Sequence, residues 1–226
     1  MLKPEKNVMV YRVRRTEKKP LFRWTDFAAA ETASLDCRGG PPRDAAEVRF
    51  RILHDDRNLY GMFEVRERGV VARKTNFQDM VCADSCCEFF LQPAGTDGYF
   101  NLEMNANGSF LIYFVRDPRL APNSGKPADY IALCRDDGLL ITVKTDLPHY
   151  IPEPIMEETV WHLMFAVPAE ALEPYCGKIA SLNAQVWRGN LYKCADASPY
   201  PGWSAWAELD TSSFHAPHCF RNIVLE

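Results

Sequence analysis

The sequence lacks two features that would place the chain in a membrane or on a nucleic acid. None of its apolar stretches approaches the roughly 20 residues that a transmembrane helix needs. Basic residues are not in excess, because 26 lysines and arginines stand against 30 aspartates and glutamates, for a formal net charge of −4. A charge balance of this kind does not favour nucleic-acid binding. We therefore expect neither a membrane nor a nucleic-acid partner.

The N-terminal stretch, MLKPEKNVMVYRVRR, lacks the apolar central region and the small-residue cleavage site of a secretory signal. We expect a cytoplasmic location for the chain as written, and an extracytoplasmic one if a signal has been removed.

The eight cysteines lack the spacing of a disulfide framework or of a zinc site. Cys82, Cys86 and Cys87 have no matching Cys-x2-Cys pair, and the segment His215-x2-His218-Cys219 is too loosely spaced. Without a signal peptide, free buried thiols are the default. The residues themselves therefore predict no metal ligands and no cofactor.

Helical periodicity is also scarce. Most of the 226 residues fall into short alternating runs separated by turn residues, and 8–14 resembles an edge strand. The one predicted helix covers Pro168 to Tyr175. With 47% hydrophobic and 25% charged residues, the chain can bury a sizeable core. We predict an all-β protein, a single domain over 1–226, folded as a β-sandwich or jelly roll of about ten mainly antiparallel strands.

The strongest strand pattern runs from Asp84 to Val115 as three alternating segments. The loop after Gln92 can be closed with Gln92 opposite Tyr99, which fixes the first hairpin. Asn107-Gly108 predicts a two-residue turn that sets Met104 opposite Leu111. On this register Phe89, Leu91, Phe100, Leu102 and Met104 share the core face with Leu111, Tyr113 and Val115.

The other face of this predicted meander is polar, and Glu88 lies directly opposite Glu103 on it. Opposed residues have Cβ atoms roughly 4.5–5.5 Å apart, and like charges at that distance are destabilising. An arginine or lysine, a bound cation, a shared proton or a ligand must relieve the pair. Arg188 is the candidate from the sequence, and a solvated polar face with an arginine nearby is the structural alternative.

A second polar strand is predicted over Lys178 to Cys194, with Ser181, Asn183, Gln185 and Trp187 on one face. Amides, carboxylates and an exposed aromatic ring are the groups that bind a sugar, because hydroxyls need amide and carboxylate partners and the ring's C–H face packs on an aromatic. In the alternative interpretation Trp187 belongs to the core. The candidate ligand-binding residues from both strands are Glu88, Asn101, Glu103, Asn105, Trp187, Arg188, Asn190 and Lys193.

From about Phe50 onward the sequence resembles the family 9 carbohydrate-binding modules, especially their standalone bacterial form. The resemblance is carried by FRILHDDRNLYGMFEVRE, DSCCEFFLQP, YFNLEMNANG, RGNLYKCAD and FHAPHCFRNIVLE. It implies a β-sandwich, ligand binding on a sheet face and, in characterised modules, recognition of glycan reducing ends. Such modules are often joined to glycoside hydrolases, and some carry calcium.

Few site residues transfer through this resemblance. Glu88 aligns with a sugar-contacting glutamate of the family. Cys82 stands where a ring-stacking tryptophan is expected, which implies weaker binding than in the family's best binders. Trp187 and Trp203 are the two candidates for the second stacking tryptophan.

Three functions are compatible with these patterns. Non-catalytic binding of an oligosaccharide or polysaccharide, in support of polysaccharide catabolism, is the one we predict. A glycoside hydrolase would use Glu88 and Glu103, because catalytic carboxyl groups lie about 5–5.5 Å apart in retaining enzymes. A structural sandwich that has lost sugar binding would explain Cys82.

Overall fold

The computed structural model describes residues 9–38, 46–122, 124 and 126–226. These residues form sixteen strand segments: β1 Val10–Arg15, β2 Ala33–Ser34, β3 Asp36–Arg38, β4 Glu47–His54, β5 Asn58–Glu67, β6 Val70–Ala72, β7 Cys86–Gln92, β8 Tyr99–Asn105, β9 Phe110–Leu120, β10 Pro127–Ala132, β11 Thr142–Thr145, β12 Ile151–Ile155, β13 Thr159–Pro168, β14 Val186–Cys194, β15 Trp203–Ala205 and β16 Arg221–Leu225. The helices are α1 Arg135–Leu140 and α2 Ala169–Cys176, with 3-10 turns at Trp24–Phe27, Val81–Ala83 and Pro217–Cys219.

Two sheets pack face to face, which confirms the predicted sandwich. The first has the strand order β10-β9-β8-β7-β14-β16-β1 and the second β1-β4-β5-β13-β11. Strand β1 belongs to both, since Val10 pairs with Asn222 of β16 and Arg14 pairs with Leu53 of β4, both in parallel. The predicted edge strand is therefore wrong: this segment joins the sheets, and its expected first residue, Val8, lies outside the described residues.

The space between the sheets holds the main hydrophobic core. The predicted core residues of the first hairpin are all buried there, namely Phe89, Leu91, Phe100, Leu102 and Met104. They meet Phe63, Trp161 and Phe165 of the second sheet. Alternation along each strand sends every second side chain to this layer, so the apolar residues of both hairpins stabilise one core.

A second apolar layer covers the outer face of the first sheet. It consists of Phe90, Tyr99, Leu111, Tyr113, Val115 and Tyr192 together with Phe220. The segment between β15 and β16 lies over this layer, because Phe214 stacks on Tyr192 with ring centroids 4.2 Å apart and His215 packs on Phe90. The outer face of this sheet is therefore partly buried, and not a flat solvated surface.

The β8–β9 hairpin has a different register from the predicted one. Met104 lies opposite Phe110, because the loop contains Ala106, Asn107 and Gly108. Among the loop residues only Gly108 has a positive φ, +87°, whereas a two-residue I′ turn requires positive φ at both central positions. The three-residue loop shifts β9 by one position and exchanges its faces. Ile112 and Phe114 consequently enter the main core, while Leu111, Tyr113 and Val115 face outward into the second layer.

Asp136, Asp137 and Gly138 belong to the helix α1, and the Cys134 side chain accepts from the backbone N–H of Asp137 at its N-terminus. One other local prediction is wrong. The predicted strand from Lys178 begins only at Val186, because the chain turns at Ala184 with φ +57°. None of the helices among the described residues is long and apolar enough to span a membrane.

Candidate functional site

The β7–β8 ladder places two glutamates side by side on the outer face of the first sheet. Glu88 lies directly opposite Glu103, as predicted. Both are buried, with 2% and 6% of their surfaces exposed. They form part of the floor of a cavity of about 230 Å³ that opens to solvent.

The walls of this cavity come from several loops and strand ends. Met80, Cys82, Leu120 and Trp203 are among the residues that line it. The segment between β15 and β16 closes the rest with its residues 212–215. Among the described residues that line the cavity there is no lysine and no arginine.

Trp203 supplies the large exposed aromatic surface of the cavity, with 40% of its area accessible. Its Nε1–H donates to the Asp196 carboxylate over 2.7 Å. Its ring lies 5.5 Å from the Phe214 ring at an angle of 55°. The hydrogen bond and the ring contact fix the indole, so its face is ready to pack on a ligand.

The carboxyl oxygens of the two glutamates have few hydrogen-bond partners. Asn101 Nδ2 donates to Glu103 Oε1 over 2.9 Å, whereas Glu103 Oε2 has no hydrogen-bond partner among the described residues. The Cys194 thiol donates to Glu88 Oε1 over 3.0 Å. A buried carboxylate oxygen without a partner is costly, so this floor is adapted to a group that donates hydrogen bonds or carries positive charge.

Burial raises the pKa of both carboxyl groups. For Glu88 burial is the largest cause of the raised pKa, and the charge of Glu103 adds to it. For Glu103 burial outweighs the hydrogen bonds from Asn101 and Cys82, which lower the pKa. Both shifts favour the protonated form, which reduces the repulsion between the two opposed groups.

The predicted relief by Arg188 is wrong. Its guanidinium donates to the backbone carbonyls of Pro217 and Phe220 over 3.1 and 3.2 Å, away from the two glutamates. Arg188 thus anchors the chain before β16.

The structure separates most of the other candidates from the cavity. Trp187 is 1% exposed and lies in the main core, so its predicted position on a polar face is wrong. Lys193 also points between the sheets, where its ammonium contacts the Glu67 carboxylate at 2.8 Å. Asn190 is fully buried and bonds the backbone of Ala207.

The two remaining amides have structural partners as well. Asn105 bonds Asp84 and the carbonyl of Lys74, while its Oδ1 accepts from the backbone of Ser109 and stabilises the hairpin loop. Asn101 accepts from the backbone N–H of Tyr113 and orients Glu103. Of the eight predicted residues, only Glu88 and Glu103 line the cavity.

Several cavity residues were missed from the sequence. His215 and Phe214 come from a segment without strand periodicity, and nothing local marks them as part of a site. Burial lowers the pKa of His215 to about 4, so the ring is neutral at physiological pH, and its Nδ1 lies 2.7 Å from the Tyr99 hydroxyl. Trp203 was one of two tryptophans considered for stacking, and the burial of Trp187 leaves it as the one at the cavity.

Comparisons with known structures show the same fold. The chain superposes on a candidate carbohydrate-binding protein from Bacteroides uniformis with a TM-score of 0.80 and 24% identity, over 97% of this chain and 100% of that one. It also resembles a family 9 carbohydrate-binding module from Caldicellulosiruptor kristjanssonii in complex with glucose, with a TM-score of 0.59 and 13% identity over 96% of both chains. The cellotriose complex of that module gives the same TM-score and identity, over 96% of this chain and 94% of the other.

No curated protein matches the sequence significantly. A family model does match, over residues 42–225, and its description is carbohydrate-binding family 9. This match covers most of the sequence and includes the strands that carry Glu88, Glu103 and Trp203. The chain therefore belongs to carbohydrate-binding family 9.

Proposed function

We propose that this protein binds a saccharide reversibly in the cavity above Glu88 and Glu103, without cleaving it. The observation that carries the proposal is the pair of buried, opposed carboxyl groups on the floor of an open cavity whose wall is the fixed indole of Trp203. Carboxyl groups accept from sugar hydroxyls, and an indole face packs on the C–H groups of a pyranose. The complexes of the Caldicellulosiruptor module with glucose and with cellotriose support a saccharide as the ligand class.

The dimensions of the cavity favour a terminal sugar. A volume of about 230 Å³ is below the 300–1,000 Å³ of typical ligand pockets, and the floor and walls close the cavity on several sides. One sugar ring at the end of a chain fits such a site, with the following units directed to solvent. This end-on mode agrees with the reducing-end recognition that the family resemblance implies and would serve the capture of glycans for catabolism.

Cys82 and Met80 form the wall where a second aromatic ring would complete a sandwich. Sulfur and methylene groups still pack on a sugar ring, but without the flat contact of an indole. Losing one aromatic contact costs about 1 kcal/mol. We therefore expect weak affinity, sustained mainly by Trp203 and the carboxyl groups.

The geometry does not favour glycoside hydrolysis. Both glutamates project from neighbouring strands of one floor, whereas the two catalytic carboxyl groups of a glycosidase flank the scissile bond. Incubation with oligosaccharides is expected to release no reducing sugar.

Titration calorimetry with cello-, xylo- and manno-oligosaccharides tests the proposal, in buffer that contains a metal chelator. We expect heat with at least one series, at least a tenfold loss of affinity in Trp203→Ala, and a loss in Glu103→Gln. Trp24→Ala and Glu64→Gln are the matched controls, because Trp24 packs against Arg51 of the second sheet and Glu64 lies on that sheet, and neither residue lines the cavity. Absence of heat with every saccharide, or equal affinities in the cavity variants and the controls, would favour the structural sandwich instead.

A further inference from the structure

Three potential metal ligands converge beneath the cavity. The thiol sulfurs of Cys86 and Cys194 and a carboxylate oxygen of Glu88 all lie within 4.8 Å of one another. Their residues are at most 3% exposed. The sequence does not predict such a site, because Cys194 is more than 100 positions from Cys86 and Glu88 and the three residues follow no familiar ligand spacing.

Strand pairing explains the convergence. Cys86 lies directly opposite Cys194 in the antiparallel β7–β14 ladder. Glu88 is two residues further along β7, so its side chain projects from the same face as that of Cys86. The Cys194 sulfur already lies 3.0 Å from Glu88 Oε1. Two paired strands therefore hold all three potential ligand atoms within 4.8 Å of one another.

The surroundings supply an independent reason for a cation. Glu103 faces Glu88 across the β7–β8 ladder, and its buried Oε2 atom has no partner among the described residues. The nearest buried ammonium, that of Lys193, belongs to the opposite face of the sheet and contacts Glu67. Glu88, Glu103 and Cys194 all line the cavity, and none of the described residues lining it is a lysine or an arginine.

We propose that Cys86, Glu88 and Cys194 bind Zn²⁺. Zinc takes thiolate sulfur at about 2.3 Å and carboxylate oxygen at about 2.0–2.2 Å in tetrahedral geometry, and a three-ligand set leaves one position open. Here the open position faces the cavity on the side of Glu103. The two thiols release their protons to solvent when the metal binds, so zinc carries two thiolates and one carboxylate.

The cavity gives the ion an entry path, because Glu88 and Cys194 line it while Cys86 lies behind them. Softer thiolate ligands select zinc over calcium and magnesium, which prefer oxygen ligands throughout. A zinc site here goes beyond the proposed saccharide binding, and zinc binding is measured without any sugar, so either proposal can fail alone.

A second group of ligands on the surface provides an internal control. Asp210, His218 and Cys219 also lie within 4.8 Å of one another, but Asp210 and His218 are exposed and already bond each other at 2.7 Å. This group contains one thiol, whereas the proposed site contains two. The number of sulfur ligands therefore distinguishes the two locations.

The experiment uses the full chain, reduced and freed of metal by a chelator, and then titrated with Zn²⁺ alone. Native mass spectrometry is expected to show one zinc per chain in the wild type and in the His218→Ala and Cys176→Ser controls. The same measurement is expected to show none in Cys194→Ser and Cys86→Ser. X-ray absorption on the wild-type zinc complex is expected to show two sulfur neighbours, and this result does not depend on the folding of any variant.

Three results would overturn the proposal. The wild type could bind no zinc at micromolar concentration, Cys194→Ser could retain it, or His218→Ala could lose it. A single sulfur neighbour in the absorption spectrum would likewise place the ion at the surface group.

Discussion

Two buried carboxylate sites lie on opposite faces of the first sheet and are satisfied in different ways. On the core side, Glu67 receives the Lys193 ammonium at 2.8 Å and the Trp161 indole N–H at 3.0 Å. On the cavity side, Glu88 and Glu103 face each other, and one oxygen has no partner among the described residues. The two sites lie on opposite sides of strand β14. Lys193 of this strand contacts Glu67 on the core side, and the next residue, Cys194, contacts Glu88 on the cavity side.

The difference shows which carboxylate is structural. Burial alone would lower the pKa of Lys193, but the charge of Glu67 and neighbouring groups outweighs it and the pKa is raised, so the ammonium keeps its charge beside Glu67. A buried ion pair whose charges are matched and hydrogen-bonded within the protein does not require a ligand. The cavity pair is incomplete within the described residues, and its carboxyl groups can accept bonds from a ligand. A buried carboxyl oxygen that lacks a hydrogen-bond partner and lies beside a cavity open to solvent therefore indicates a binding site.

The largest expected effect follows from breaking the complete pair. Lys193→Met leaves the Glu67 charge buried without its partner, and such losses cost about 3–5 kcal/mol. Urea unfolding at neutral pH measures the free energy. The double variant Lys193→Met, Glu67→Leu should recover most of the loss, and a single variant within 1 kcal/mol of the wild type would contradict the structural role.

Leu102→Ala tests the core side of β8, immediately beside Glu103. Leu102 is fully buried between the sheets, so removal of its methyl groups should cost on the order of 2–5 kcal/mol. The same unfolding measurement applies. A cost near zero would mean that the two faces of the strand had been assigned the wrong way round.

Glu103→Gln tests the cavity side of the same strand. It removes one of two opposed carboxyl groups and keeps the size of the side chain, so we expect the free energy of unfolding to stay unchanged or to rise by up to about 1 kcal/mol. Glu67→Gln is the matched control and should destabilise, because Lys193 loses its counter-ion. Equal losses in the two variants would remove the distinction between the sites.

The smallest effect concerns a partly exposed histidine on the second sheet, which also contacts carboxylates. His162 lies between two carboxylates, with Nδ1 2.8 Å from Asp146 and Nε2 3.4 Å from Glu64. The hydrogen bond to Asp146 is the largest cause that raises the His162 pKa, against partial burial. Its stabilisation is therefore fully present below the unfolded value of about 6.5 and is lost as the pH rises through the folded value.

Unfolding midpoints measured between pH 6 and 8 check this prediction. The wild type should lose stability relative to His162→Gln as the pH rises, by a small amount because solvent screens the pair. His149→Gln, at an exposed histidine, should follow the wild type. Parallel curves for the wild type and His162→Gln would show that the pair contributes nothing.

The sequence predicted the sandwich and the β7–β8 register because alternation and the loop after Gln92 act over short distances. It failed at β9, where Asn107-Gly108 is compatible with more than one loop length and a single extra residue exchanges the faces. The error mattered for Leu111 and Phe114, which lie on the opposite faces from those expected. Local pattern alone does not decide between these loops.

Only part of the cavity lining could be predicted, because local sequence patterns do not show which distant segments come together. Glu88 and Glu103 were found because strand pairing is encoded locally, whereas His215 and Phe214 reach the site through a long segment without periodicity. Lys193 and Asn190 have the chemistry of binding residues, and only their three-dimensional partners show that they hold the fold together. The pattern of polar residues therefore predicts where a strand lies, but only the contacts of each side chain in the fold show whether it binds a ligand or stabilises the structure.

The position of β1 has a consequence for the time course of folding. Val10 is among the first described residues, yet its neighbour in the ladder is Asn222, and Arg14 of the same strand pairs with the second sheet. During synthesis this strand emerges more than 200 residues before its β16 partner, because Val10 pairs with Asn222. Such distant pairings slow folding and leave strand edges exposed to other chains. Pairing of β16 with β1 thus completes the junction of the two sheets, and until then β1 keeps one edge open to pairing with another chain.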